Sequence, residues 1–262
     1  MFKIKALDSQ QSKENTHFPR PPFSLLVIGS KGAAKSTTII NMLLNKKIYN
    51  KVFNDIYWIS PTIFNDEDKL KILLENPMLI QNKLLETILK RNKNMDPLAE
   101  NNTEIFNPYI PNTNILSELT PEYLSNIIKE QNVVIKKYGK KYANNVLMIL
   151  DDCLGNDIVK SRIFKQLNVK LRHYKISIIF VSQALFEIPK TVRLNNSCIF
   201  LFETNNTKEI QNYYFENNGS LSFNDWIELY KHATEEPYSF FQINYMNDKK
   251  HRFLKNMEEF IE

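Results

Sequence analysis

The sequence predicts an α/β protein built on a mainly parallel sheet flanked by helices on both faces. Three observations carry that expectation. Short apolar runs rich in β-branched residues alternate with segments of helical spacing, the pattern of strands joined by crossover helices. A glycine-bearing loop at residues 29–37 follows the first apolar run and opens the first helical segment. The most apolar run, 146–150, leads directly into Asp151 and Asp152.

Taken in order, residues 1–22 are polar and end in Pro19-Arg20-Pro21-Pro22, which reads as a flexible N-terminal arm and leaves 23–262 as one domain. Residues 23–28 form the first strand, stopped by Gly29, and 35–46 the first helix, with Ile39, Ile40, Met42, Leu43 and Leu44 at helical spacing. A second strand, 55–60, is closed by Pro61. Residues 65–140 are expected as a largely helical insertion: a polar helical stretch over 65–93, a Pro- and Asn-rich surface loop over 94–114, then a helix over 120–138. That last helix has Thr120 as N-cap, Pro121 as first residue and Gly139 as terminator. After the strand 146–150, residues 158–173 read as one helix, 176–182 as a strand ending at Gln183, and 198–202 as another strand. Two helical stretches follow from 207. The segment 238–246 with a final short segment reads as a C-terminal β-hairpin added at the sheet edge.

Composition narrows the function classes. At 262 residues and 43% hydrophobic content the chain can bury one full-sized core. No apolar stretch approaches the ~18 residues of a membrane-spanning helix, and the N-terminus lacks the apolar segment of a secretory signal. Cys153 and Cys198 are too few for a disulfide framework and lack metal-ligand spacing, so a reducing compartment is expected. The 34 Lys and Arg against 29 Asp and Glu permit attraction to nucleic acid without demonstrating it.

The chemistry concentrates at three strand ends. Gly29, Ser30, Lys31, Gly32, Ala33, Ala34, Lys35, Ser36 and Thr37 lie between a strand and a helix, the setting of a phosphate-cradling P-loop. There the main-chain N–H groups and the helix N-terminus hold a triphosphate, Lys35 reaches the β- and γ-phosphates, and the Ser36 hydroxyl ligates Mg²⁺. Ala34 stands where the pattern expects Gly; its Cβ is expected to crowd the turn or the phosphate and weaken nucleotide binding. Asp151 is the candidate for orienting Mg²⁺, and Asp152 for polarising an attacking water. Gln183 ends its strand at the same edge and can sense the γ-phosphate. Arg193, and less so Arg172, is a candidate finger reaching a neighbouring subunit's nucleotide. For DNA contact the candidates are 83–93 and the Lys136-Lys137-Tyr138-Gly139-Lys140-Lys141 cluster.

This ordered set resembles a known family. GSKGAAKST at 29–37 after FSLLVI, YWISPT at 57–62, VLMILDD at 146–152, LRHYKISIIFVSQ at 171–183 and VRLNNS at 192–197 resemble the genome-packaging ATPases of poxviruses, giant DNA viruses and virophages, which belong to the FtsK and HerA class. The resemblance spans residues 23–203. It implies a RecA-like (ASCE) P-loop NTPase fold and ATP hydrolysis, with ATP and Mg²⁺, coupled to moving double-stranded DNA into a preformed capsid. Lys35 and Ser36 carry over as nucleotide ligands, Asp151 as the Mg²⁺ residue, Asp152 as the catalytic acid position, Gln183 as sensor and Arg193 as finger. Its implied partners are double-stranded DNA, a homo-oligomeric ring (pentamer or hexamer), and capsid or portal proteins. Its implied place is the host cytoplasm or viral factory, with virion association. Two other readings stand beside it: a nucleotide-impaired DNA-binding or capsid-assembly scaffold, suggested by Ala34, and another P-loop NTPase or kinase. A guanine-reading Asn-Lys-x-Asp segment is missing from the sequence.

Overall fold

A computed structural model describes residues 15–80, 114–153 and 157–261. The chain order is β1 (Ser24–Ile28), α1 (Lys35–Leu44), β2 (Asp55–Ile59), α2 (Glu67–Glu75), β3 (Ile115–Leu116), α3 (Pro121–Tyr138), β4 (Val146–Asp151), the short helices α4 (Asp157–Lys160), α5 (Arg162–Val169) and α6 (Leu171–Tyr174), β5 (Ile176–Ser182), α7 (Lys190–Arg193), β6 (Cys198–Phe202), α8 (Thr207–Asn217), α9 (Phe223–Ala233), β7 (Phe240–Asn244), β8 (Phe253–Lys255) and β9 (Glu259–Phe260). These strands form one nine-stranded sheet in the order β3-β2-β4-β5-β1-β6-β7-β8-β9. From β3 to β6 every pairing is parallel, and β7, β8 and β9 add antiparallel. The expected α/β architecture is therefore present.

Burial on both faces explains why the strands read as continuous apolar runs rather than alternating ones. Leu25 and Val27 of β1 join a core with Ile39, Met42 and Leu43 of α1 and Leu73 of α2. Leu26 and Ile28 point the other way, into a core with Leu124 of α3, Phe164 and Leu167 of α5, and Trp226 and Tyr230 of α9. The consequence for function lies in the strand order. β5 is hydrogen-bonded between β1 and β4, with Ile28 opposite Ser182 and Asp151 opposite Val181. The glycine loop, Gln183 and the acidic pair therefore leave the sheet side by side at its carboxyl edge, where open α/β sheets take ligands.

Several local expectations hold to within a residue or two. The Thr120 side chain accepts a hydrogen bond from the Tyr123 N–H, Pro121 opens α3, and Gly139 ends it at φ 90°. The single helix expected over 158–173 is three instead, because Ser161 turns inward to accept from the Phe164 N–H and restarts the helix, and Lys170 interrupts it again. Within the expected helical stretch 65–93, α2 ends at Glu75 and a 3₁₀ turn, Pro77–Ile80, follows; 81–93 lies outside the described residues. β3 was not expected: two residues carry no periodicity, and it exists only as a ladder on β2, Trp58 opposite Ile115. The C-terminal hairpin is a three-stranded meander.

Of the expected arm, residues 15–17 lie against this meander, while Phe18 and Pro19 meet Tyr49. The Thr16 N–H donates to Asn247 Oδ1 at 2.9 Å, Asn247 Nδ2 donates back to the Thr16 carbonyl at 2.9 Å, and Gln242 Nε2 donates to the His17 carbonyl at 2.7 Å. Side-chain amides thus pair backbone groups that the segment itself cannot satisfy. We expect Asn247→Ala to release this segment. Hydrogen exchange at the Thr16 amide should accelerate while β4 and β5 amides keep their protection, and unchanged exchange at Thr16 would refute the anchor.

Candidate functional site

The loop at the end of β1 is shaped by three backbone demands. The Gly29 N–H donates to the Ser182 carbonyl at 3.2 Å, and a Cβ on Gly29 would lie 2.6 Å from the Phe202 Cβ, so no larger residue fits. Gly32 has φ +84°, which glycine adopts freely. Ala34 is left-handed too, at φ 63° and ψ 24°, and is the residue from which α1 starts. Such a conformation costs an L-residue about 1–2 kcal/mol, which accounts for the usual glycine at this position. The turn itself accommodates the Cβ at the cost of a modest backbone strain.

The start of α1 differs from the longer helices that follow. Asp66, Thr120, Asn206 and Ser222 each cap their helix with a side-chain oxygen, whereas Ala34 caps nothing and the first turn of α1 carries no acid. Its N-terminal amides and the positive end of its dipole are left for an external anion. Lys35 folds back into the loop, donating from Nζ to the Gly29 carbonyl at 2.6 Å and the Ser30 carbonyl at 2.9 Å. Burial pushes its ammonium below the usual lysine range, against the pull of Asp152, Asp151 and Glu187.

The acids stand opposite. Ser36 Oγ donates to Asp151 Oδ2 at 3.1 Å, joining the loop to the end of β4 directly. The same oxygen accepts from Lys69 Nζ at 2.7 Å; both side chains are largely buried. Asp152, one residue on, is exposed and left-handed at φ 53°, with its N–H held by the Val181 carbonyl at 3.3 Å. Burial of the carboxyl and the neighbouring Asp151 raise its pKa, opposed by Lys35 and Lys69. Gln183 is exposed just beyond β5, and Ser182 Oγ bonds Glu187 Oε2 at 2.7 Å beside it.

A hydroxyl and a carboxylate meeting at one point are the hard oxygen donors Mg²⁺ takes, with phosphate and water completing its shell. Ser36 and Asp151 therefore fit the ion. No cluster of three His, Cys, Asp or Glu that could hold a metal occurs among the described residues. Cys153 is buried beside Asp151, its thiol pushed up to about 12 by burial, and is no nucleophile at neutral pH.

The two candidate finger arginines occupy different places in the chain. Arg193 is bound within its own subunit: Nε and Nη2 reach the two carboxylate oxygens of Glu216 at 2.8 Å each, Nη1 donates to the Ile188 carbonyl at 2.6 Å, and the guanidinium lies 4.5 Å over the Phe186 ring. Arg172 precedes β5 and so stands at the opposite end of that strand from Gln183. Sequence reasoning missed Lys69 and Glu187. Lys69 sits in a polar helix with no motif around it, and only the packing of α2 brings it to Asp151.

Known proteins resemble this chain in part of its sequence and in its fold. Residues 78–219 match the family model described as Poxvirus A32 protein. The chain belongs to the poxvirus A32 protein family. The matched span includes Asp151, Asp152, Gln183 and Arg193, and the glycine loop precedes it. A search of curated proteins found no match. Among solved structures, the genome packaging NTPase B204 from Sulfolobus turreted icosahedral virus 2 in complex with AMPPCP superposes with a TM-score of 0.53 at 13% identity, covering 87% of this chain and 94% of that one. B204 described as the DNA-packaging ATPase from Sulfolobus turreted icosahedral virus gives 0.52 at 14% identity, covering 86% and 93%. The fold of this A32-family chain is thus that of a P-loop packaging NTPase, RecA-like as the motif resemblance implied, with the Gln183 strand between the P-loop strand and the acidic strand.

Two outcomes test this geometry. Ala34→Gly should stabilise the A32-family protein by about 1 kcal/mol in denaturant unfolding, the relief of left-handed strain less the entropy glycine adds to the unfolded chain; an unchanged midpoint would contradict it. Arg193→Ala should destabilise by about 2 kcal/mol through the loss of the Glu216 pair. A purely trans-acting finger would leave the unfolding midpoint where it is.

Proposed function

We propose that this A32-family protein is an ATP-driven motor that translocates double-stranded viral DNA into a preformed capsid. The observation that carries the reading is the Ser36–Asp151 hydrogen bond, which sets an uncapped, anion-ready helix start against a paired acid. The family match and the packaging-NTPase fold support the same reading.

In this reading the amides of the 29–36 loop hold the triphosphate and Lys35 exchanges its loop carbonyls for the β- and γ-phosphate oxygens. Ser36 and Asp151 would hold Mg²⁺, which would supply positive charge against the phosphates. Lys69 is the countercharge of Asp151. Asp152, exposed next to Asp151 and with its basicity raised by that neighbour, orients and polarises the attacking water; Gln183 senses the γ-phosphate. The motor is a homo-oligomeric ring, pentamer or hexamer, working against capsid or portal proteins in the host cytoplasm or viral factory. Two free, buried thiols suit such a reducing setting. No helix among the described residues is long and apolar enough to cross a membrane.

Lys35→Ala should abolish ATP turnover. Asp152→Asn should retain Mg-ATP binding and lose about 10²-fold or more in hydrolysis. Wild-type turnover should rise with duplex DNA; an assembled ring whose hydrolysis ignores duplex DNA would overturn the motor.

A further inference from the structure

The edge of the sheet opposite the nucleotide carries an unneutralised block of positive charge. β2, β4 and β5 are parallel neighbours that begin level, Asp55 opposite Val146 and Val146 opposite Ile176. The segments that lead into them, 45–54, 136–145 and 170–175, therefore close on the same edge of the sheet, with Asn54, Asn145 and Lys175 adjoining and with Asn45 and Ile48 lining a cavity shared with Glu236 and Glu258. Together they contain ten Lys and Arg and no Asp or Glu. Because the whole chain carries +5, everything outside these segments sums to −5. The modest net charge of the whole chain conceals this local concentration of positive charge.

The ridge is a fixed surface. The Asn54 N–H donates to the Asn145 carbonyl at 2.8 Å, the Asn145 N–H returns to Asn54 Oδ1 at 2.8 Å, and Asn145 Nδ2 reaches the Val52 carbonyl at 3.1 Å. The Val146 N–H donates to the Lys175 carbonyl at 3.0 Å, and Lys175 Nζ ties the third segment to the Ala143 carbonyl. Nine of the ten basic side chains are exposed, Lys175 being half-buried, and none is ion-paired among the described residues. Lys140 and Lys175 are close enough to repel, which together with burial lowers the Lys175 pKa. Tyr138 and Tyr142 stand exposed among these lysines. Like charges gathered and left without counter-ions of their own strain the fold slightly and attract a polyanion.

We propose that this edge is the surface on which the protein grips duplex DNA, through phosphate contacts that read no bases. The choice of DNA among polyanions rests on the motor reading above; the concentration of charge does not. Three segments presented across adjacent strands at about 4.8 Å spacing offer a broad face suited to a duplex backbone. β4 spans about 20 Å between this edge and Asp151, so DNA phosphates and nucleotide phosphates bind at separate ends and do not compete. The same strands that carry Asp151 and precede Gln183 start at the ridge, which gives a rigid mechanical link between grip and chemistry.

The test is duplex binding across a salt series by a fluorescent, mixed-sequence duplex, with Lys140→Glu/Lys141→Glu and, as a milder pair, Lys46→Gln/Lys47→Gln. The reversed pair should bind duplex at least about ten-fold more weakly, and either pair should flatten the salt slope by about 2, one for each phosphate left unneutralised. Basal ATP turnover should stay at the wild-type rate, which also certifies the fold, while stimulation by duplex DNA falls away. Wild-type affinity and slope in both variants overturn the assignment and leave the motor reading standing; a wild-type protein that hydrolyses ATP yet binds no duplex overturns both. Variants that no longer bind vesicles containing phosphatidylserine, with duplex binding intact, also overturn it, assigning the ridge to a membrane surface.

Discussion

The parallel pairing of β5 between β1 and β4 is the constraint from which the site is built. It sets Ile28 beside Ser182 and Asp151 beside Val181, so the loop after β1 and the acids after β4 emerge level, one strand apart. Only then does the Ser36 hydroxyl meet Asp151, and only then does the uncapped start of α1 face a carboxylate pair rather than solvent. The interaction is small in energy, but it records an alignment that the whole sheet enforces. Gly29 shows how tight that alignment is: the strand end has room for a hydrogen and not for a methyl group beside Phe202.

Charge within the site is balanced before any ligand arrives. Asp151 is met by Lys69, and Lys35 by the carbonyls of its own loop and the field of Asp151, Asp152 and Glu187. A largely buried carboxylate left alone would be costly, and Lys69 offsets that cost. The same arrangement leaves Asp152 exposed, without a cation in bonding distance among the described residues and raised in basicity, which is the condition for handling a water proton. Arg193 illustrates the converse. Within the chain, its guanidinium pairs with Glu216 and lies over Phe186, which holds α7 against α8.

Along its parallel strands, the sheet separates two sets of charge. Carboxylates and the P-loop gather where the parallel strands end, and lysines gather where three of them begin. Parallel topology is what makes this possible, since it puts every loop of one kind at one edge. An antiparallel sheet with the same residues would have mixed the two sets.

Much of the fold was legible because it rests on short-range signals. Continuous apolar runs such as 146–150 declare strands buried on both faces, and Thr120, Pro121 and Gly139 declare where a helix begins and ends. The 29–37 loop and the acidic pair were legible for a related reason: phosphate binding by main chain demands particular residues at fixed spacing in one stretch of chain. β3, Lys69, Glu187 and the contiguity of the basic segments were not, because each depends on partners far away in sequence. Two residues become a strand only beside β2, a lysine in an ordinary polar helix becomes the countercharge of Asp151 only when α2 packs, and three modest lysine runs become one ridge only when their strands align. The sequence by itself determined which elements form and which residues bring the chemistry; the tertiary structure alone decided which charges face one another, since Coulomb forces act through space and the chain's order does not encode distance.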